Sequence, residues 1–204
     1  MRVVVIILLQ ILIFHGAIRF IIKNDLECVL ENKKEYGIYF LFSILTTLMY
    51  IKYGITLDLF FLSFFLIYLI ISAYIDKKTL TIYSFYNYLT TLIGIVYLLA
   101  KLGTINITNI IFNVIIFVCI TIIASKLGAF KDGDTELFIS ISFFLYPQYP
   151  NFALEIFLIN IIISYIVVLI LNFRRLDKTN FLKFKEPIAF APSIAISTII
   201  LLLL

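Results

Sequence analysis

Two cysteines, one histidine and no tryptophan leave this chain of 204 residues with little to bind a metal or staple a fold. Cys119 lies in an apolar run and Cys28 in a polar stretch, so the pair predicts neither a disulfide nor a zinc site. His15 has no potential ligand near it in sequence and reads as an interhelical hydrogen-bonding group. No metal and no cofactor is therefore expected. The 21 Phe and 13 Tyr can fill the interfacial role that tryptophan would otherwise share. Charge is scarce as well: only 14% of residues are charged, with a net charge of +4. No basic stripe interleaved with aromatics is present, which excludes nucleic acid as a partner. There is no low-complexity tract and no internal repeat, so the inverted-repeat signature of a transporter is absent.

What is abundant is apolar. Hydrophobic residues make up 63% of the chain, against about 45–50% in a soluble domain. A chain of this size cannot hide so much apolar surface from water, so the lipid bilayer is its expected environment. Candidate spans occur at Val3–Ile22, Gly37–Ile51, Leu57–Ile75, Leu80–Ala100, Ile105–Ser125, Thr135–Tyr146, Phe152–Asn172 and Ile188–Leu204, the second and sixth of them short. The fold class predicted is all-α, a polytopic membrane protein of about eight spans in one domain, 1–204. The first run has no convincing small-x-small cleavage site after it and reads as an uncleaved span rather than a signal peptide.

Loop charge orients the bundle. With Lys23–Tyr36 inside and eight alternating spans, the inner loops hold twelve of the sixteen Lys and Arg residues: Lys23, Lys33, Lys34, Lys77, Lys78, Lys126, Lys131, Arg174, Arg175, Lys178, Lys183 and Lys185. Only Arg2, Lys52 and Lys101 fall outside, and Arg19 lies within the first span. Deleting the short sixth span would leave seven inside against eight outside. The positive-inside rule thus favours eight spans with both termini outside.

Against this background two acids stand out. Asp76 and Asp134 each lie where a long apolar run gives way to a short lysine-bearing loop, and the orientation above puts both on the cytoplasmic side. A carboxylate costs about 2.5–3.5 kcal/mol at mid-membrane and less towards the interface, which makes such a residue a functional candidate. Gly133 ahead of Asp134 predicts a tight backbone as the loop enters a helix, and the first turn of that helix would favour the ionised carboxylate. Two carboxylates that share a site push their apparent pKa values apart, so that one holds a proton while the other is ionised. Such a pair can activate water and protonate a leaving group without a metal. Asp132 reads as a solvated loop acid, Glu136 as a helix cap, and Lys131 as an interfacial cation.

The residues around the two aspartates carry a family resemblance. Asp76 with Lys78, Thr79 and Ile82, then Gly128-Ala129 and Gly133-Asp134-x-x-Leu137, resembles the two active-site segments of the type IV prepilin peptidases, intramembrane aspartyl proteases of the GxGD class. Pro187-Ile188-Ala189-Phe190-Ala191-Pro192-Ser193-Ile194-Ala195 is similar to the family's IPFGPxLA segment. Lys34-Glu35-Tyr36 and Lys52–Asp58 resemble its stretch before the first active-site helix. The resemblance implies a catalytic pair Asp76 and Asp134, with Gly133, Lys78, Thr79 and Pro192 as supporting motif positions. It implies an endopeptidase of the cytoplasmic (inner) membrane that cuts prepilin-like substrates after a glycine, just ahead of their long apolar helix.

The departures are specific. Lys131 replaces the first glycine of GxGD, Tyr83 a proline, Ser84 an Asp or Asn, and Ala191 the middle glycine of the C-terminal segment. The long cytoplasmic loop with paired CxxC motifs is reduced to Lys23–Tyr36 with its lone Cys28, which narrows the expected chemistry to cutting, without the family's N-methylation. Two other readings fit some of the residues. One is a non-catalytic relative that binds pilin-like helices; the other is a carboxylate-relay transporter.

Overall fold

Thr56 and the pair Lys77-Lys78 bracket a long, mainly apolar run with one aspartate near each end, and that run becomes the central helix. A computed structural model of the chain describes residues 2–24, 32–103, 107–129, 131–175 and 187–204. Cys28, Lys178, Lys183 and Lys185 lie outside the described residues. Among the described residues there are eight α-helices and no strand: α1 (Arg2–Asn24), α2 (Asn32–Tyr53), α3 (Leu57–Thr79), α4 (Ser84–Ala100), α5 (Ile107–Lys126), α6 (Asp132–Gln148), α7 (Ala153–Leu171) and α8 (Ala191–Leu203), with a 3₁₀ turn at Phe173–Arg175. Each predicted apolar run contributes one helix. The fourth and eighth helices begin later than the apolarity suggests, at Ser84 and Ala191, because Leu80–Tyr83 and Pro187–Phe190 form connections.

Helix α3 is capped by Thr56, whose backbone is extended and whose hydroxyl accepts from the Leu59 N–H at 3.4 Å. Asp58 in its first turn and Lys77 and Lys78 in its last complement the helix dipole. It ends at Leu80, which takes the left-handed conformation at φ 56° and returns its N–H to the Asp76 carbonyl at 2.9 Å. Mainly apolar around its circumference, α3 is buried over most of its length, packed by α1, α2, α4 and α8. Helix α6 lies among α4, α5, α7 and α8.

The pattern of exposure is inverted relative to a water-soluble bundle. Gln10, Ser63, Asn87, Ser140, Asn160 and Ser197 are buried, while Leu12, Phe40, Phe85, Leu92, Ile115 and Ile162 face outward. The buried polar groups satisfy one another across helices: Gln10 Nε2 donates to Ser63 Oγ at 2.7 Å, and Asn160 Nδ2 to Thr198 Oγ1 at 3.0 Å. Polar groups between helices and apolar groups outside are what a bilayer demands. Helices α3 and α7 are long and apolar enough to cross a membrane. Helices α6 and α8, with 17 and 13 residues, reach about 26 and 20 Å at the α-helical rise.

The bundle has two chemically distinct ends. At one, Lys101 Nζ pairs with Asp58 Oδ1 at 2.7 Å, and Tyr97 also donates to Asp58. There Lys52 and Tyr53 donate to the Leu202 carbonyl at the end of α8, at 3.0 and 2.9 Å. At the other end, α3 finishes where α6 and α8 begin. His15 lies between, its Nδ1 2.6 Å from the Tyr39 hydroxyl, so it bridges α1 and α2 as its isolation in the sequence suggests.

Candidate active site

Asp76 comes from the last turn of α3 and Asp134 from the first turn of α6. Both are nearly buried, at 5% and 7% exposure, and both line one cavity of about 280 Å³. Asp132, two residues before Asp134, stands exposed at the rim of the same cavity.

The partner of Asp76 comes from the third segment. Helix α8 begins at Ala191, and Pro192 behind it has no N–H to offer. The N–H groups of Ser193 and Ile194 return to the Phe190 carbonyl at 3.0 and 3.2 Å. That leaves the Ala191 N–H pointing out of the helix end, and it donates to Asp76 Oδ2 at 2.8 Å. An orphan donor at a helix N-terminus thereby meets a carboxylate, the pairing that helix ends favour. Phe190 itself lines the cavity and is held between Tyr165 of α7 and Phe138 of α6, with ring centroids at 5.2 and 6.3 Å.

Asp134 behaves differently from the sequence expectation. Its helix-end position does supply one N–H, from Lys131 to Oδ2, but at a long 3.4 Å. Burial outweighs this, and the Asp76 charge adds to it. Together they push the Asp134 carboxyl up to about 7, against the opposing pull of the Lys131 backbone and ammonium. Desolvation and a like charge both disfavour the anion, so the first turn of α6 does not keep this carboxyl ionised.

Gly133 also has a different role from the one its sequence context suggests. Helix α6 already begins at Asp132, and Gly133 does not adopt a positive φ. A Cβ at this position would stand 3.2 Å from Cβ of Ile82. The glycine is there for close approach: it lets the connection after α3 lie against the start of α6. Sequence reasoning singled out both residues without pairing them.

Glu136 is no cap. Its carboxylate accepts from Ser84 Oγ at 3.1 Å, Asn87 Nδ2 at 2.9 Å and the Tyr88 hydroxyl at 3.3 Å, tying the start of α4 to α6 one half-turn beyond Asp134. Of the supporting motif positions, Gly133 alone lines the cavity. Thr79 closes the end of α3, donating to the Ile75 carbonyl at 3.0 Å. Lys78 and Pro192 line a separate groove on α3 and α8. The sequence signal for the Ala191 donor is Pro192, one residue into the helix. Among the described residues no three His, Cys, Asp or Glu side chains gather to hold a metal.

Two nearly buried carboxylates are thus brought from separate helices into one cavity. The family model of the type IV leader peptidase family matches residues 63–173, more than half of the chain, and the chain belongs to that family. The matched stretch includes both aspartates and ends before α8. No curated protein and no solved structure matches the chain.

Proposed function

We propose that this membrane protein is a multi-pass aspartic endopeptidase of the cytoplasmic membrane, one domain throughout, which removes the leader from type IV prepilin-like precursors at the cytoplasmic face. The observation that carries this reading is the shared burial of Asp76 and Asp134 in one cavity, with Asp134 held protonated up to about pH 7. The two titrate as a pair. Burial pushes both carboxyls up; Asp76 has the Ala191 N–H at 2.8 Å to favour its anion and Asp134 only the Lys131 N–H at 3.4 Å, so we assign the pair's shared proton to Asp134.

In this state Asp76 takes a proton from a water held between the carboxylates as its oxygen attacks the scissile carbonyl carbon. Asp134 gives its proton to the carbonyl oxygen, forming a neutral tetrahedral diol. Collapse breaks the C–N bond. The proton taken by Asp76 goes to the leaving amine, and a diol hydroxyl returns its proton to Asp134, which restores the starting state. The apolar helix that follows the cut site in a prepilin would lie against the outward apolar faces of the bundle.

Co-expression with a candidate prepilin, followed by mass spectrometry of its new N-terminus, tests the reading and reports cut site and methylation together. Asp76→Asn and Asp134→Asn should each abolish leader removal while inserting normally, and Asp132→Asn should retain it. Normal processing by either dyad variant defeats the proposal. Binding of the prepilin without cleavage by the unaltered protein would instead identify a non-catalytic relative.

A further inference from the structure

On the side of α3 and α8 away from the aspartates lies a second and larger concavity of about 770 Å³, which no step of the cleavage uses. Leu41 of α2, Ile70 of α3 and Ile199 of α8 contribute to its apolar wall, while Lys77, Lys78 and Pro192 stand at the end nearest the aspartates. Both lysines are exposed, and among the described residues neither is paired with a carboxylate. The groove and the aspartate cavity have no lining residue in common. The hydrogen bond from Ala191 to Asp76 closes the seam between α3 and α8 that separates them.

We propose that this groove is a binding site for one anionic phospholipid, its acyl chains against the apolar wall and its phosphate at Lys77 and Lys78. The charge decides the occupant. An apolar slot ending in two exposed ammonium groups complements a molecule with long apolar chains and an anionic head, and lysines at the edge of an apolar span bind such headgroups. A basic leader would be repelled from the same mouth. A peptide lying in the groove would also be cut off from the aspartates by the closed seam. A lipid so placed would brace the first turn of α8 through Pro192, next to the residue that holds Asp76.

The test uses the full chain purified in neutral detergent and supplied with phosphatidylglycerol or phosphatidylcholine of identical acyl chains, with retained lipid counted by native mass spectrometry. One phosphatidylglycerol should be retained per chain, with phosphatidylcholine retained about tenfold less, since each lysine near a phosphate adds appreciably to binding. Lys77→Gln combined with Lys78→Gln should bring phosphatidylglycerol down to the phosphatidylcholine level. Lys126→Gln, an exposed lysine outside the groove, should leave retention unchanged. Ala195→Leu, which narrows the slot, should weaken both lipids. Equal retention of the two lipids, or undiminished phosphatidylglycerol in the double lysine variant, overturns the proposal. So does displacement of the lipid by an apolar prepilin helix, which would make the groove a protein-docking surface. None of these readouts depends on peptidase activity.

Discussion

Asp134 holds its proton because burial and the neighbouring Asp76 charge outweigh Lys131, and this has consequences for both stability and rate. An exposed carboxyl titrates near about 4. Between there and about 7 the unfolded chain has released this proton while the folded chain still binds it. Stability must fall as pH rises through that window, and the loss is complete above the folded value. Asp134→Asn removes the ionisable group. Its melting temperature should therefore match the parent near pH 4 and exceed it above pH 7, while cleavage is lost. In the unaltered protein kcat should fall about tenfold per pH unit beyond the Asp134 value, because the acid form is consumed. A flat pH–rate profile up to pH 9 would show that Asp134 is not the proton donor. Gly133 makes a second residue-scale case. Its missing Cβ leaves room for Ile82, and an added methyl at 3.2 Å from Ile82 Cβ requires a shift of a few tenths of an ångström. That shift moves the connection at the cavity wall against the first turn of α6. Gly133→Ala should lower kcat about tenfold through misplacement of Asp134, with little change in melting temperature. Equal losses of both would indicate general unfolding instead.

At the scale of elements, the site depends on how closely α4 and α6 approach. An ideal Cβ on Gly94 would lie 2.6 Å from Phe143 Cβ and 3.0 Å from Phe144 Cε2, so the two helices meet with no room for a methyl group. The Glu136 cluster fastens the same pair of helices nearer the aspartates. Gly94→Ala should force them apart and destabilise the fold by about 1–3 kcal/mol, read as a lower melting temperature in detergent. Activity at low temperature should survive better than in Gly133→Ala, because Glu136 still anchors the end that bears Asp134. The helices themselves were legible in the sequence: eight apolar runs became eight helices among the described residues, since apolarity over a span's length is a local property. Both aspartates could likewise be singled out, because an acid beside an apolar run is conspicuous. The connections between elements were not legible. Ala191 and Asp76 are 115 residues apart, and nothing local says that the orphan donor of one helix finds the carboxylate of another. Glu136 looked like a cap because first-turn acids often are; its three donors come from α4, a helix packed on it by tertiary contacts. Gly133 looked like a backbone device because its neighbour Ile82 arrives from another segment.

For the whole molecule the decisive question is which end of the bundle faces the cytoplasm, since the proposed function requires both aspartates on the side where a precursor's leader lies. The structure puts them at the same end regardless of orientation, which removes the main alternative, a pair split across the bilayer. Charge then distinguishes the ends. Away from the aspartates, Lys101 is neutralised by Asp58 and Lys52 caps the Leu202 carbonyl. At the aspartate end Lys77, Lys78, Lys126 and Lys131 are all exposed. Uncompensated cations near span ends are retained on the cytoplasmic side, so the aspartate end should face inward. Cysteine labelling decides it. In a background with Cys28→Ser and Cys119→Ser, Gly103→Cys in the turn beside Lys101 reports one end, and Lys126→Cys the other. A membrane-impermeant maleimide added to intact cells should label Gly103→Cys and spare Lys126→Cys, and both should react once the membrane is opened. The opposite pattern would put Asp76 and Asp134 on the outer face. A prepilin leader that has not crossed the membrane could not reach them there, so the proposed substrate would fall while the dyad chemistry stood.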